Sequence, residues 1–174
     1  MFARILVALL VSFSAHAEES NEYLFGSLTQ HFINFDGVSE KYDNKVSADG
    51  TLIANPIAAY RLIKTEGVSY DSTTYFAGQN SVGELMGGAM FNTGYNVGCM
   101  RLGALAGAYV QDNKKFTDRG LVVFSMPIDR YGIVPVVGVE VSFIGRLNKR
   151  TYVTLVNIIT PILATSTVGI GFDL

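Results

Sequence analysis

The chain has 174 residues, 13 basic and 15 acidic side chains, and a formal net charge of −2. The basic residues are scattered, which excludes the concentrated positive surface that nucleic-acid binding requires. One cysteine excludes a disulfide scaffold, and we expect Cys99 to be an inert buried thiol, with an intermolecular bridge as the alternative. Hydrophobic residues make up 49% of the chain without forming a long apolar helix, so a lipid surrounding suits this composition.

The N-terminus has the pattern of a secretory signal peptide. Arg4 precedes an apolar run over 5–13, and Ser14-Ala15-His16-Ala17 offers small residues for cleavage. The run is about 9 residues long, whereas a membrane-spanning helix needs about 20, so we favour cleavage over a retained anchor. The sequence therefore predicts a signal peptide over 1–17 and one mature domain over 18–174.

Alternating apolar and polar residues predict membrane-spanning β-strands in the mature domain. From Val137 to Phe143 the odd positions are apolar, and the even positions are Gly138, Glu140 and Ser142. A charged Glu140 in the middle of a strand suits a polar lumen. The predicted strands lie at about 23–32, 52–63, 68–79, 84–92, 97–110, 119–126, 133–145 and 165–174. This pattern indicates an all-β fold, an eight-stranded antiparallel up-and-down transmembrane β-barrel in the outer membrane of a bacterium.

The strand count assigns the connecting segments to two sides of the membrane. An even number of strands returns both termini to the periplasmic side, so 33–50 becomes a long first outer loop. Thr65-Glu66-Gly67 and Asn92-Thr93-Gly94 are then predicted as short periplasmic turns, where glycine supplies positive φ.

Two further segments, 79–83 and 111–119, face outward in this topology. For 146–164, which contains Thr160-Pro161, the sequence leaves open an extended loop, a bulged strand or an interfacial turn.

His31 is the single histidine of the predicted mature domain. In the first strand Leu24, Leu28 and Phe32 alternate with Ser27, Thr29 and His31, which puts His31 near the outer end. It could serve there as a general base that meets a lipid head group. The alternative is a polar lumen-facing histidine without a catalytic task.

Four segments resemble, in order and spacing, the lipid A palmitoyltransferase family of outer-membrane barrels. They are Thr29-Gln30-His31, Lys41-Tyr42-Asp43-Asn44, Asn55-Pro56-Ile57 and Gln79-Asn80-Ser81. The resemblance implies an acyltransferase that moves a palmitoyl chain from a phospholipid to lipid A without a cofactor. It also implies that His31 and Ser81 are catalytic residues, and Asn80 stands where the family has an aspartate.

The sequence contains a true acidic pair, Asp71-Ser72, but we expect it toward the periplasmic end of its strand, far from His31. The resemblance further implies an apolar hole for the acyl chain, and Gly103, Ala106 and Gly107 are small candidate lumen residues.

Three functions remain open at the level of the sequence. The first is lipid A acylation by His31, Asn80 and Ser81. The second is a non-catalytic barrel that stabilises the envelope or modifies lipopolysaccharide interactions. The third is a soluble lipid-binding periplasmic barrel, which would have an apolar lumen and a polar exterior. For either membrane barrel we expect phospholipid and lipid A as partners, no nucleic acid, no metal, and a monomer.

Overall fold

The computed structural model describes residues 17–31, 53–81, 83–112, 126–128 and 131–174. The predicted signal peptide, apart from Ala17, and the predicted first outer loop lie outside these residues. Nine strands are present in the described segments: β1 Ala17–His31, β2 Ile53–Glu66, β3 Ser69–Gln79, β4 Leu85–Val97, β5 Met100–Asp112, β6 Met126–Ile128, β7 Tyr131–Arg146, β8 Thr151–Ile159 and β9 Leu163–Asp173. Within the same segments no helix has the length and apolarity to cross a membrane.

Eight of these strands close into a barrel. The order β5-β4-β3-β2-β1-β9-β8-β7 is completed by pairing of β5 with β7, and every pairing is antiparallel. The three residues of β6 pair only with one end of β7. The predicted eight-stranded antiparallel barrel is therefore confirmed.

One strand of the barrel differs from the prediction. β5 and β7 pair from Met100–Phe143 to Asp112–Tyr131, which leaves no place between them for a strand from 119–126. Of that predicted strand only Met126 lies within the described residues. β8 completes the count instead, inside the segment that the sequence left open. β8 does not show the expected alternation, because the apolar Val156 faces the lumen and the polar Asn157 faces outward.

Both described termini lie at one end of the barrel, here called the termini end, and the opposite end is called the loop end. The termini end carries the turns after Glu66, Val97 and Arg146. The turn at Gly67 is confirmed, with a φ of 62°. The turn predicted at Asn92-Thr93-Gly94 is wrong, because β4 continues to Val97 and Gly98 makes the turn with a φ of 61°.

Cys99 lies beside Gly98 in that turn and is exposed. The expectation of a buried thiol is therefore wrong. A turn of two residues between long strands leaves its side chains outside the barrel wall, whatever their polarity.

The exterior of the barrel wall is apolar, as the sequence predicts. Val137, Val139 and Phe143 are 60%, 48% and 44% exposed, whereas Glu140 and Ser142 between them are buried. An apolar wall around a charged lumen is the reverse of a soluble lipid-binding barrel, so that alternative is excluded. The chain is a membrane-spanning barrel of the outer-membrane type.

A bulge in β1 changes the predicted face of one residue. The register against both neighbouring strands shifts after Phe25, where Gly26 has a φ of 63°. An extra residue reverses the parity of a strand. Leu24 is consequently buried in the lumen although Leu28 faces outward, so the prediction of one shared face is wrong for Leu24.

Candidate functional site

The lumen is crossed by a buried network of charged side chains. Arg61 on β2 is 1% exposed and lies between two carboxylates. Its Nη1 donates to Glu140 Oε1 at 3.0 Å and to Glu22 Oε2 at 3.3 Å, and its Nη2 donates to Glu140 Oε2. Its Nε donates to Thr74 Oγ1 at 3.0 Å. One guanidinium therefore links strands β1, β2, β3 and β7 across the barrel.

A second arginine extends the network toward the termini end. Arg101 on β5 donates to the other oxygen of Glu22 and, at 3.3 Å, to the hydroxyl of Tyr152. Its guanidinium lies 5.9 Å from the ring centre of Tyr70 and 5.5 Å from that of Tyr152, which is cation–π distance. The Tyr152 hydroxyl donates to Ser20 Oγ at 3.1 Å.

Glu140 collects further hydrogen bonds from the barrel wall. Asn92 Nδ2 donates to its Oε2, and Ser142 Oγ donates to its Oε1. The network thus contains two guanidinium groups and two carboxylates, and its formal charge is zero. Because buried ions are stable only when they are paired and hydrogen-bonded, this balance explains how four charges occupy a closely packed lumen.

An apolar layer lies on the loop side of the charges. Leu24, Leu105, Val134 and Val156 are each at most 7% exposed. On the same four strands, the residue of the charged network lies closer to the termini end. These network residues are Glu22 on β1, Arg101 on β5, Glu140 on β7 and Tyr152 on β8. Ring contact between Phe76 and Tyr109, with centroids 6.1 Å apart, adds to the packing of the barrel. The lumen is therefore filled by a polar layer and an apolar layer stacked along the barrel axis.

The small residues proposed to line an acyl hole do not leave one at these positions. A Cβ on Gly103 would lie 2.3 Å from Asn92 Oδ1 and 2.5 Å from the Tyr70 hydroxyl. Ala106 is exposed on the outer wall, so its assignment to the lumen is wrong. A Cβ on Gly107 would lie 2.3 Å from the carbonyl oxygen of Ala89. The glycines in β5 thus allow close packing of neighbouring groups.

A smaller polar cluster lies at the loop end. Asn55 Nδ2 donates to Thr29 Oγ1 at 2.9 Å and contacts Ser81 Oγ at 3.4 Å. Thr29 Oγ1 lies 3.3 Å from Ser27 Oγ. The cluster connects β1, β2 and the turn after β3, and it brings Ser81 close to the end of the strand that finishes at His31.

The backbone of His31 pairs with Leu163 of β9 at the loop end, where the sequence puts it. Its side chain lies outside the described part of the structure. The catalytic role of His31 stays a prediction.

Asn80 holds the turn between β3 and β4. Its Oδ1 accepts the backbone N–H of Glu84 at 2.9 Å, and its Nδ2 donates to Gln111 Oε1 at 3.2 Å. Its backbone N–H and carbonyl bond to Glu84 and Gly83 in the same turn. Both ends of the Asn80 amide therefore support the loop end of the barrel wall.

The acidic pair Asp71-Ser72 lies at the opposite end, near the start of β3. Asp71 is exposed on the outer wall and Ser72 is buried. This agrees with the expected position far from the candidate catalytic residues.

Sequence reasoning found Glu140 of the lumen network but missed Glu22, Arg61 and Arg101. Arg61 lies between Tyr60 and Leu62, and Arg101 lies between Met100 and Leu102, which is the same signal that identified Glu140. A search for charges between apolar neighbours in the predicted strands 52–63 and 97–110 would have found both arginines, whereas Glu22 precedes the predicted start of the first strand at residue 23.

Comparisons with known proteins give fold likeness only. No protein-family model matches the chain, and no curated protein matches it. The N-terminal β-barrel domain of Pseudomonas aeruginosa OprF is similar, with 9% identity and a TM-score of 0.43 over 91% of this chain and 100% of that one. Ail, the attachment invasion locus protein of Yersinia pestis, solved with the heparin analogue sucrose octasulfate, is similar with 10% identity and a TM-score of 0.40 over the same shares. Likeness at this level says nothing about ligand or activity.

Proposed function

We propose that the chain is a non-conducting outer-membrane barrel that stabilises the cell envelope through its lipid-facing wall and its loop-end surface. The observation that carries the proposal is the buried network of Glu22, Arg61, Arg101 and Glu140, which occupies the lumen. A solute in transit would have to separate these pairs, and breaking one buried pair costs about 3–5 kcal/mol. Such a lumen favours a role for the surfaces over a role as a pore.

The partners that fit this role are the lipids around the barrel. The wall offers apolar and aromatic side chains, and the loop end offers the partly exposed amide of Asn80 and hydroxyl of Ser81. Hydroxyl and amide groups can bind the phosphates and sugars of lipid A by neutral hydrogen bonds. We expect phospholipid and lipid A as neighbours of a monomeric barrel.

Lipid A acylation is the second candidate, with His31 as base, Ser81 as the group that supports the ester and Asn80 as orienting residue. One observation favours it. Asn55 joins Thr29 and Ser81, so the segments that carry Ser81 and His31 converge at the loop end. Against it, the Asn80 amide is engaged in the turn, and an amide lacks the charge that holds an imidazolium.

One experiment separates the two candidates. A strain that lacks the gene is complemented with wild type, His31→Ala, Ser81→Ala or Asn80→Ala. Detergent sensitivity and lipid A mass spectra are then recorded together. For a non-catalytic barrel, the His31 and Ser81 variants restore detergent resistance, and the lipid A spectrum does not depend on the chain.

Acyl transfer predicts the opposite result. An added acyl chain on lipid A would appear with wild type and disappear with His31→Ala and Ser81→Ala. In every strain, the amount of folded protein in the outer membrane is measured by its electrophoretic shift on heating.

A further inference from the structure

A groove runs along the outer wall near the termini end, and its rim carries a row of alternating charges. Glu19, Lys64 and Asp71 are register partners on the neighbouring strands β1, β2 and β3. All three are exposed on the outer wall. Neighbouring strands lie about 4.8 Å apart, so the row presents negative, positive and negative groups at that spacing.

The groove is lined by both polar and apolar side chains. It has a volume of about 240 Å³, and its lining includes Leu62, Phe91 and Leu174 beside the three charged residues. Leu62, Phe91 and Leu174 are 43%, 52% and 80% exposed. Leu174 lies beside Glu19 at the level of the charged row, and Leu62 and Phe91 lie two positions along their rows toward the loop end, so the apolar part of the groove extends from the charges toward the loop end.

Its depth in the membrane follows from the aromatic residues above it. Tyr23, Tyr60 and Tyr75 form another cross-strand row, four positions along each strand from Glu19, Lys64 and Asp71 toward the loop end. Tyrosines on the exterior of membrane barrels concentrate at the interface between hydrocarbon and head groups. The hydroxyl of Tyr60 donates to Asn21 Oδ1 at 2.9 Å, so it points toward the termini end. The charged row therefore lies at head-group depth.

The three charged groups of the row differ in whether another side chain pairs with them. Lys64 Nζ lies 3.1 Å from Glu66 Oε1, and Glu66 lies two residues closer to the termini end on the same strand. Within the described residues, the carboxylates of Glu19 and Asp71 have no hydrogen bond or ion pair with another side chain. The row keeps two acidic groups available, and they flank one ammonium group.

We propose that this groove binds a phospholipid of the periplasmic leaflet that has an ethanolamine head group. The primary ammonium of the lipid donates hydrogen bonds to Glu19 or Asp71, its phosphate lies beside Lys64, and an acyl chain follows Leu62 and Phe91. Two carbons separate the phosphate and the ammonium in this head group. This separation lets the phosphate contact Lys64 while the ammonium contacts a carboxylate on the neighbouring strand. The excess of carboxylates disfavours anionic head groups. This inference is independent of the proposed function.

The test uses the purified full chain in detergent micelles and measures retained lipid by native mass spectrometry. The probes are phosphatidylethanolamine, phosphatidylcholine and phosphatidylglycerol with identical acyl chains. Choline is the sharpest comparison, because its quaternary ammonium has the same charge but no N–H to donate. We expect about fivefold stronger retention of phosphatidylethanolamine than of phosphatidylcholine, and the weakest retention for phosphatidylglycerol.

The double variant Glu19→Gln, Asp71→Asn should lose the preference for ethanolamine. Glu18→Gln is the control, because it removes an exposed carboxylate at the same end of the barrel from a residue that does not line the groove, and it should keep the preference. Equal retention of ethanolamine and choline lipids by wild type would overturn the proposal, and so would an undiminished preference in the double variant. If the double variant fails to fold, Asp71→Asn alone and the wild-type comparison decide.

Discussion

Arg61 and Glu140 are 79 residues apart in the sequence and face each other across the lumen through two hydrogen bonds, one of them 3.0 Å long. The pair joins β2 to β7, which lie on opposite sides of the barrel in the strand order. Since backbone pairing connects only neighbouring strands, this contact links parts of the wall that no β-ladder connects.

Glu140→Ala should lower the free energy of unfolding by about 3–5 kcal/mol, because it leaves Arg61 buried beside one carboxylate in place of two. Urea unfolding in detergent micelles, followed by tyrosine fluorescence, measures the change. The control is Glu18→Ala, an exposed glutamate for which we expect a change of less than about 0.5 kcal/mol. A loss below about 1 kcal/mol for Glu140→Ala would mean that the network contributes little.

A second pair of variants tests the packing of the lumen. Gly103→Ala should destabilise the barrel by about 1–3 kcal/mol, because its Cβ would overlap Asn92 and the Tyr70 hydroxyl. Ala106→Val on the same strand should be neutral, because residue 106 faces outward. Unfolding midpoints of both variants give the comparison. Equal effects would contradict the assignment of the two faces of β5.

The barrel, most of its strands and its polar lumen could be predicted from alternation, because lipid outside and charge inside impose opposite chemistry on successive residues. Alternation fails where a strand breaks its own period. The bulge at Gly26 reverses the face of Leu24. In β8, the polar Asn157 lies on the outer wall, so that strand lacks the expected alternation. A glycine inside a strand can mark a bulge, but the chain has 18 glycines and composition alone does not single out Gly26.

The candidate site was harder to predict, because pairing across a barrel joins residues that are distant in sequence. Nothing near Arg61 in the sequence indicates Glu140 or Glu22 as its partners. Only the family resemblance indicates Asn80 and Ser81, and the hydrogen bonds of Asn80 with Glu84 and Gln111 depend on a turn whose geometry the sequence alone does not give.

Gly26→Ala tests the bulge. Space at this position is open, so the cost comes from the backbone, whose φ of 63° is unfavourable for a residue with a Cβ. We expect a loss of about 1–2 kcal/mol, and a smaller loss for Gly26→Asn, because asparagine tolerates the left-handed region better. Urea unfolding of the two variants checks the order. If alanine is as stable as wild type, β1 has no bulge at this residue.

Cysteine labelling tests the orientation in the membrane. Cys99 is exposed in a turn at the termini end. A membrane-impermeant maleimide should therefore leave it unmodified in intact cells and label it after the outer membrane is permeabilised.

The reciprocal variant, Ser47→Cys in a Cys99→Ser background, has its thiol in the predicted first outer loop and should be labelled in intact cells. Labelling of wild-type Cys99 in intact cells would reverse the assignment of the two ends.

Closure of the lumen by paired charges can be tested by measuring the current through the purified wild-type protein in a planar lipid bilayer. A closed lumen should give no stepwise conductance above the baseline of the bilayer, with insertion verified by protease protection in vesicles made from the same lipid. Reproducible open steps of stable size would contradict it, because ions would then pass the level at which Arg61, Arg101, Glu22 and Glu140 are paired.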